Sequence, residues 1–195
     1  MKSSVSIHRG VRPLVVLALV MVAMLCAATP SRAEVVYKNM YVQIVNTGTY
    51  NYDFNGDGAT DLNLALNLQT NSCGYVITAA ETPAQGNGAE GEPLTPLQAG
   101  DQIGPNQPFS AGAGTIASLS WNYCSHKVIY GGPWPQSAVR YLGVSFVIDG
   151  ETHYAWASVE FEVILTFGPP KLRAILTGYA YETVPGMPIN AGQTK

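Results

Sequence analysis

LGVSFVIDGETHYAWASVEFEV, residues 142–163, decides the fold class. Leu142, Val144, Phe146 and Ile148 occupy every second position. That spacing puts them on one face of a strand, whereas a helix would repeat its apolar positions at three and four. Asp149-Gly150 then interrupts the alternation. Asp-Gly between alternating runs is the strongest short signature of a two-residue hairpin turn, because both central positions need positive φ. A second run follows from Thr152 to Val163, so the stretch predicts two antiparallel strands.

The same pattern extends outward. Leu62, Leu64, Leu66 and Leu68 alternate with Asn63, Ala65 and Asn67, a strand with one buried and one wet face. Val35 to Val45 reads as another strand. Gly168-Pro169-Pro170 separates a strand ending near Phe167 from one running from Leu172 to Tyr181. Between Glu81 and Gly114 the prolines at 83, 93, 96, 105 and 108 forbid a helix and a central strand, so this is a long surface excursion. Short edge strands are expected in it, one of them around Leu94 to Ile103. No segment after residue 33 carries an amphipathic helix and no internal repeat is visible. The expected architecture is all-β, an antiparallel β-sandwich or flattened, jelly-roll-like form.

Residues 1–33 have the grammar of a cleaved signal peptide: Lys2, Arg9 and Arg12, an apolar helical run from Leu14 to Ala28, then Pro30 and Ser31-Arg32-Ala33. The run is shorter than the ~20 residues of a membrane span. Cys26 follows Leu25, which is not the small residue of a lipoprotein signal. Cleavage takes 33 residues and four basic side chains from a chain of 195 with 10 basic and 13 acidic residues; residues 34–195, 162 in all, then form one secreted domain of net charge −7. Such a balance argues against nucleic acid and against anionic membrane as partners. Export also bears on Cys73 and Cys124, the two cysteines left in the domain, which are expected to form a disulfide.

Charge is concentrated in one place, DFNGDGATDL at residues 53–62. Asp53, Asn55 and Asp57 alternate, Gly58 permits a sharp turn, Ala59 can offer its carbonyl, and Asp61 stands at the ninth position. This matches the first nine positions of the EF-hand consensus, and a hard dication such as Ca²⁺ needs that set of oxygens. Position twelve is Leu64 rather than a bidentate Glu, and it belongs to the alternating strand. The loop therefore resembles the DxNxDGxxD calcium loops at β-hairpin tips in FG-GAP repeats. The competing reading is an Asx-rich turn without metal, in which three acids repel one another.

A second resemblance covers most of the domain. Gly178-Tyr179-Ala180-Tyr181-Glu182-Thr183-Val184-Pro185-Gly186 and the residues to Gly192, with His153-Tyr154-Ala155-Trp156 and Leu97-Gln98-Ala99-Gly100-Asp101-Gln102-Ile103-Gly104, are similar to segments of uncharacterised bacterial exported proteins. Many of these carry a PEP-type C-terminal sorting tail. Here the sequence ends at Gln193-Thr194-Lys195 instead, so the expectation is free secretion. The resemblance implies architecture and compartment and no chemistry.

Three roles compete. Glu160 and Glu162 share a strand face about 7 Å apart, a spacing compatible with a glycoside hydrolase, but the fuller acidic pattern of β-sandwich glucanases is missing. No G-x-S-x-G occurs, and His126 and His153, lacking the context of a base, are expected at the surface or half-buried. Trp134, in Gly131-Gly132-Pro133-Trp134-Pro135, either caps the core or stands open as a stacking platform for a sugar ring. Trp156 is expected to pack on a sheet face. The reading favoured is a non-catalytic, calcium-stabilised secreted protein with a structural or cell-surface role, its partner a glycan or an extracellular matrix component. A carbohydrate-binding module and a glycoside hydrolase are the alternatives.

Overall fold

The computed structural model describes residues 33–91 and 94–195, so the expected signal peptide, apart from Ala33, lies outside the described residues. The described chain is all-β. Its strands are β1 (Val35–Val45), β2 (Gly48–Tyr52), β3 (Leu62–Asn71), β4 (Gly74–Pro83), β5 (Gly88–Glu90), β6 (Gln102–Ile103), β7 (Phe109–Ser110), β8 (Gly114–Asn122), β9 (Lys127–Gly131), β10 (Arg140–Ile148), β11 (Glu151–Ile164), β12 (Lys171–Glu182) and β13 (Ile189–Asn190). They form a six-stranded sheet in the order β1-β12-β11-β10-β5-β7, a five-stranded sheet in the order β2-β3-β4-β8-β9, and the small pair β13-β6. All ladders are antiparallel, and the two large sheets pack as an open sandwich.

The Asp149-Gly150 turn joins β10 to β11 with both residues at positive φ, and register runs unbroken from Ile148↔Glu151 to Arg140↔Val159. On the inner face, Leu142, Val144 and Phe146 meet Ala155, Ala157, Val159 and Phe161, then Leu172, Ala174, Leu176 and Tyr179 of β12. The five-stranded sheet answers with Tyr52, Leu62, Leu64, Leu66, Ile77, Ala79, Ile116 and Leu119. The leucine row of β3 stops being core at Leu68, which is 40% exposed. The β3–β4 hairpin closes at Gly74, where a Cβ would lie 1.9 Å from the carbonyl oxygen of Trp121, so that only a bare backbone lets β8 approach.

β11 carries the longest stretch buried on both faces among the described strands, without a break from His153 to Val159. Its outward residues, Tyr154 and Trp156, belong to a second apolar cluster with Leu97, Ile103, Ala180, Ile189 and Ala191. The β6–β13 pair thus lies over one end of the six-stranded sheet, and the indole N–H of Trp156 donates to the Gln193 carbonyl (2.9 Å). Trp156 packs on a sheet face, as expected. His153 does not stay near the surface: it is 4% exposed, because it shares the inward parity of Ala155 and Ala157. Its Nδ1 lies 2.9 Å from the Glu182 carbonyl, which fixes the proton on that nitrogen.

The excursion after β4 holds short strands, as expected: β5, β6 and β7. The one expected around 94–103 forms only at its end, as β6, with isolated bridges at Gly91↔Leu94 and Leu97↔Tyr141 before it. The strand expected to reach Phe167 ends at Ile164, opposite Lys171, and Leu165 and Phe167 are exposed beyond it.

Candidate functional site

The 53–61 loop connects β2 to β3 at one edge of the five-stranded sheet. One buried ring anchors it. Phe54 stacks on Tyr52 (5.7 Å, 11°) and meets Phe146 and Tyr179, each at 5.3 Å, while the Tyr179 hydroxyl donates to the Asp53 carbonyl (2.9 Å). The loop thereby reaches from its own sheet to β10 and β12 of the other.

Asp53 curls the tip. Its Oδ1 accepts from the amides of Gly56 (2.7 Å) and Asp57 (3.2 Å), and its Oδ2 accepts from Gly58 (2.9 Å). Gly56 and Gly58 both have positive φ, the conformation this tight winding needs. Asn55 donates its side-chain amide to Asp57 Oδ2 (2.9 Å), and Asp57 Oδ1 accepts from Ala59 N–H (2.7 Å). The structure thus brings Asp53, Asn55, Asp57 and Ala59 together at an exposed tip. The Ala59 amide, followed by the Asn55 side chain, lowers the Asp57 pKa.

Asp61 is placed differently. It is 6% exposed, and its Oδ2 accepts from the Phe54 amide (2.8 Å) while Oδ1 accepts from Asn87 Nδ2 (3.3 Å). Asn87 in turn accepts from the Val147 amide of β10 (3.1 Å). Asp61 therefore closes the base of the loop and ties it to the other sheet. Desolvation raises its pKa, and the charges of Asp57 and Asp53 push the same way. The three acids therefore repel one another. The single ion pair among the described residues is Arg173–Glu162, on β12 and β11 of the other sheet, and Lys38 reaches Asp53 only through a weak long-range attraction. Among the described residues no group of three or more His, Cys, Asp or Glu side chains converges as a ready-made metal cage. A Ca²⁺ ion here would draw on amide and carbonyl oxygens as well as carboxylates, which suits a hard cation.

The remaining sequence-predicted residues are also placed. Cys73 and Cys124 form a disulfide with Cα atoms 5.5 Å apart, joining the β3–β4 turn to the β8–β9 turn. Trp134 is not a stacking platform: it is 1% exposed and meets Phe161 edge-to-face at 6.0 Å. Its amide donates to the Ile116 carbonyl and its own carbonyl accepts from the Tyr130 hydroxyl, so the Gly-Pro loop folds the indole inward. Glu162 is paired with Arg173 across β11 and β12. His126 is exposed, with its ring edge-on to Trp121.

Sequence reasoning missed Asn87, Glu81 and Glu90. Glu81 had a readable signal, since it follows Ile77 and Ala79 at the inward parity of β4. No family model matches this chain, and no curated protein or solved structure matches it significantly.

Proposed function

We propose that this protein is an exported, non-catalytic β-sandwich that binds Ca²⁺ at the 53–61 loop and serves outside the cell in a structural or surface-binding role. The observation that supports it is the winding of three backbone amides around the Asp53 carboxylate. That winding gathers Asp53, Asn55 and Asp57 at an exposed tip with no paired cation among the described residues. Asp53, Asn55 and Asp57 would hold the ion, with the Ala59 carbonyl and Asp61, directly or through water, completing the oxygen set. Bound, the ion supplies charge neutralisation and fixes the register of the β2–β3 connection.

A ligand held only by the folded state stabilises it by RT ln(1 + [L]/Kd). With a Kd of ~10⁻⁴–10⁻³ M, 10 mM CaCl₂ contributes about 1.4–2.7 kcal/mol, a rise in Tm of roughly 3–10 °C for a domain of this size. Thermal unfolding in CaCl₂ and in EDTA reads this directly. Asp57→Ala is expected to remove the difference, and equal melting of the native protein in both buffers would refute the calcium reading.

A glycan partner is the second reading, and burial of Trp134 moves it elsewhere. Tyr41 is 68% exposed, hydrogen-bonds Gln43, and contributes with Glu160 and Glu162 to the charge environment of Arg173. An aromatic ring beside carboxylates and a guanidinium is a chemistry that sugars use. Titration with oligosaccharides, followed by chemical-shift changes at β1 and β11 amides, tests it; an unresponsive spectrum removes this reading.

A further inference from the structure

Three carboxyl groups outside the loop lie inside the protein: Glu182, whose Oε1 accepts from the Glu34 and Val184 amides, and Glu81 and Glu90. Glu81 is fully buried and Glu90 is 7% exposed; among the described residues both oxygens of Glu81, and Oε2 of Glu90, lack a hydrogen-bond partner. Leaving such a group unpaired in the ionised state is costly, and protonation relieves it.

Their positions give this a consequence. Glu81↔Gly114 is the last rung of the β4–β8 ladder, where the chain leaves for the excursion and where it returns. A Cβ on Gly114 would lie 3.2 Å from Glu81 Oε1 and 2.4 Å from Leu94 Cδ1, so the acid packs against bare backbone under an apolar side chain. Glu90 lies in β5 opposite Phe109 of β7, and a Cβ on Gly143 of β10 would come within 2.5 Å of its Oε2. Beyond these contacts, β5 is attached to β10 by two rungs, Val144↔Ala89 and Ser145↔Gly88, by the Ser145 hydroxyl on the Gly88 carbonyl (3.5 Å), and through Asn87 just before it on the Val147 amide. Glu90 thus lies within this short edge, and Glu81 lies where the excursion that carries the edge leaves and rejoins the five-stranded sheet.

The surroundings offer no compensation. Leu64 of β3, Gly114 of β8 and Leu94 pack around Glu81, none of them charged; the Gly114 amide favours the anion without reaching hydrogen-bond geometry. Phe109, Gly143 and Leu97 surround Glu90, and among the described residues the one charged group that acts on it is Asp101, of the same sign. We propose that β5 and β7 form a proton-latched ribbon: it seals the β10 edge while Glu81 and Glu90 are protonated, and loss of those protons releases it. Release bares the Val144 and Ser145 edge of the six-stranded sheet.

Burial pushes the Glu81 carboxyl up to about 8, and burial followed by Asp101 pushes Glu90 up to about 7, from an ordinary 4.5. In the released ribbon both regain water and the ordinary value. The latch is therefore complete below about pH 4.5 and weakens as pH rises to the folded-state values, by roughly tenfold in the opening equilibrium per pH unit for each acid.

Amide hydrogen exchange between pH 5 and 8 at constant CaCl₂, corrected for intrinsic rates, tests the ribbon. Protection at Ala89 and Ser110 is expected to fall roughly a hundredfold per unit up to pH 7, with β11 and β12 amides unchanged. The double variant E81Q/E90Q is expected to flatten that slope, and E90Q alone to halve its exponent. Protection independent of pH, the same slope in the glutamine variants, or loss of β11 and β12 protection in step with the ribbon would each overturn the latch. The wild-type regional comparison decides the matter even where the double variant does not fold.

Discussion

Trp134→Ala is expected to destabilise the protein by about 3–5 kcal/mol, the usual cost of emptying a large aromatic site in a core. The indole is enclosed between Phe161 and the Ile116 backbone, so the neighbours have little room to collapse into the void. Trp134→Phe is expected to lose much less, about 1–2 kcal/mol. The reason is that the indole Nε1 is buried without a hydrogen-bond partner among the described residues, so the phenyl ring removes an unpaired polar group along with some volume. Chemical denaturation of both variants measures the pair of values. Equal, near-zero losses would mean that the indole is solvated after all.

The second large effect concerns the Cys73–Cys124 link. Its 51-residue separation gives a loop-closure contribution of about 4 kcal/mol in the chain-entropy model. The link also joins two turns that already touch through the Tyr123 amide on the Cys73 carbonyl (2.9 Å). With those turns prepositioned, the native state accommodates the bridge and its effect falls mainly on the unfolded chain. Cys73→Ser with Cys124→Ser is therefore expected to lower the denaturant midpoint by the equivalent of about 3–4 kcal/mol, with the sandwich spectrum retained. A midpoint equal to that of the disulfide-bonded protein would show that the unfolded chain gains no freedom from cutting it.

Most of the sandwich was legible because its signals are local. The Asp149-Gly150 turn and the alternation around it depend on residues within hydrogen-bonding reach of one another, and the cysteine pair needs only an oxidising compartment and a count of two. The oxygen-rich loop was legible as a turn for the same reason. The part that escaped depends on what lies across from a residue. Leu68 continues the pattern of Leu62–Leu66 but extends past the facing sheet. His153 is inside because it shares the inward parity of Ala155 and Ala157 and meets Phe146, on a face closed by residues distant in sequence. Asp61 looks like another loop acid in sequence, and its role as the base of the loop appears only with Asn87, 26 residues away. Glu81 and Glu90 carry no mark of burial except the inward parity of Glu81.

The double burial of β11 also bears on how this chain can vary. In an ordinary sandwich strand, alternate positions look outward and absorb polar, charged or bulky replacements at little expense. From His153 to Val159 that reservoir does not exist, since seven consecutive side chains are enclosed, one set by the opposing sheet and the other by the chain's own final residues and the excursion. Drift in this segment must be compensated on whichever layer the changed side chain faces, and the carboxyl-terminal stretch around Ile189 and Ala191 is bound to co-vary with it.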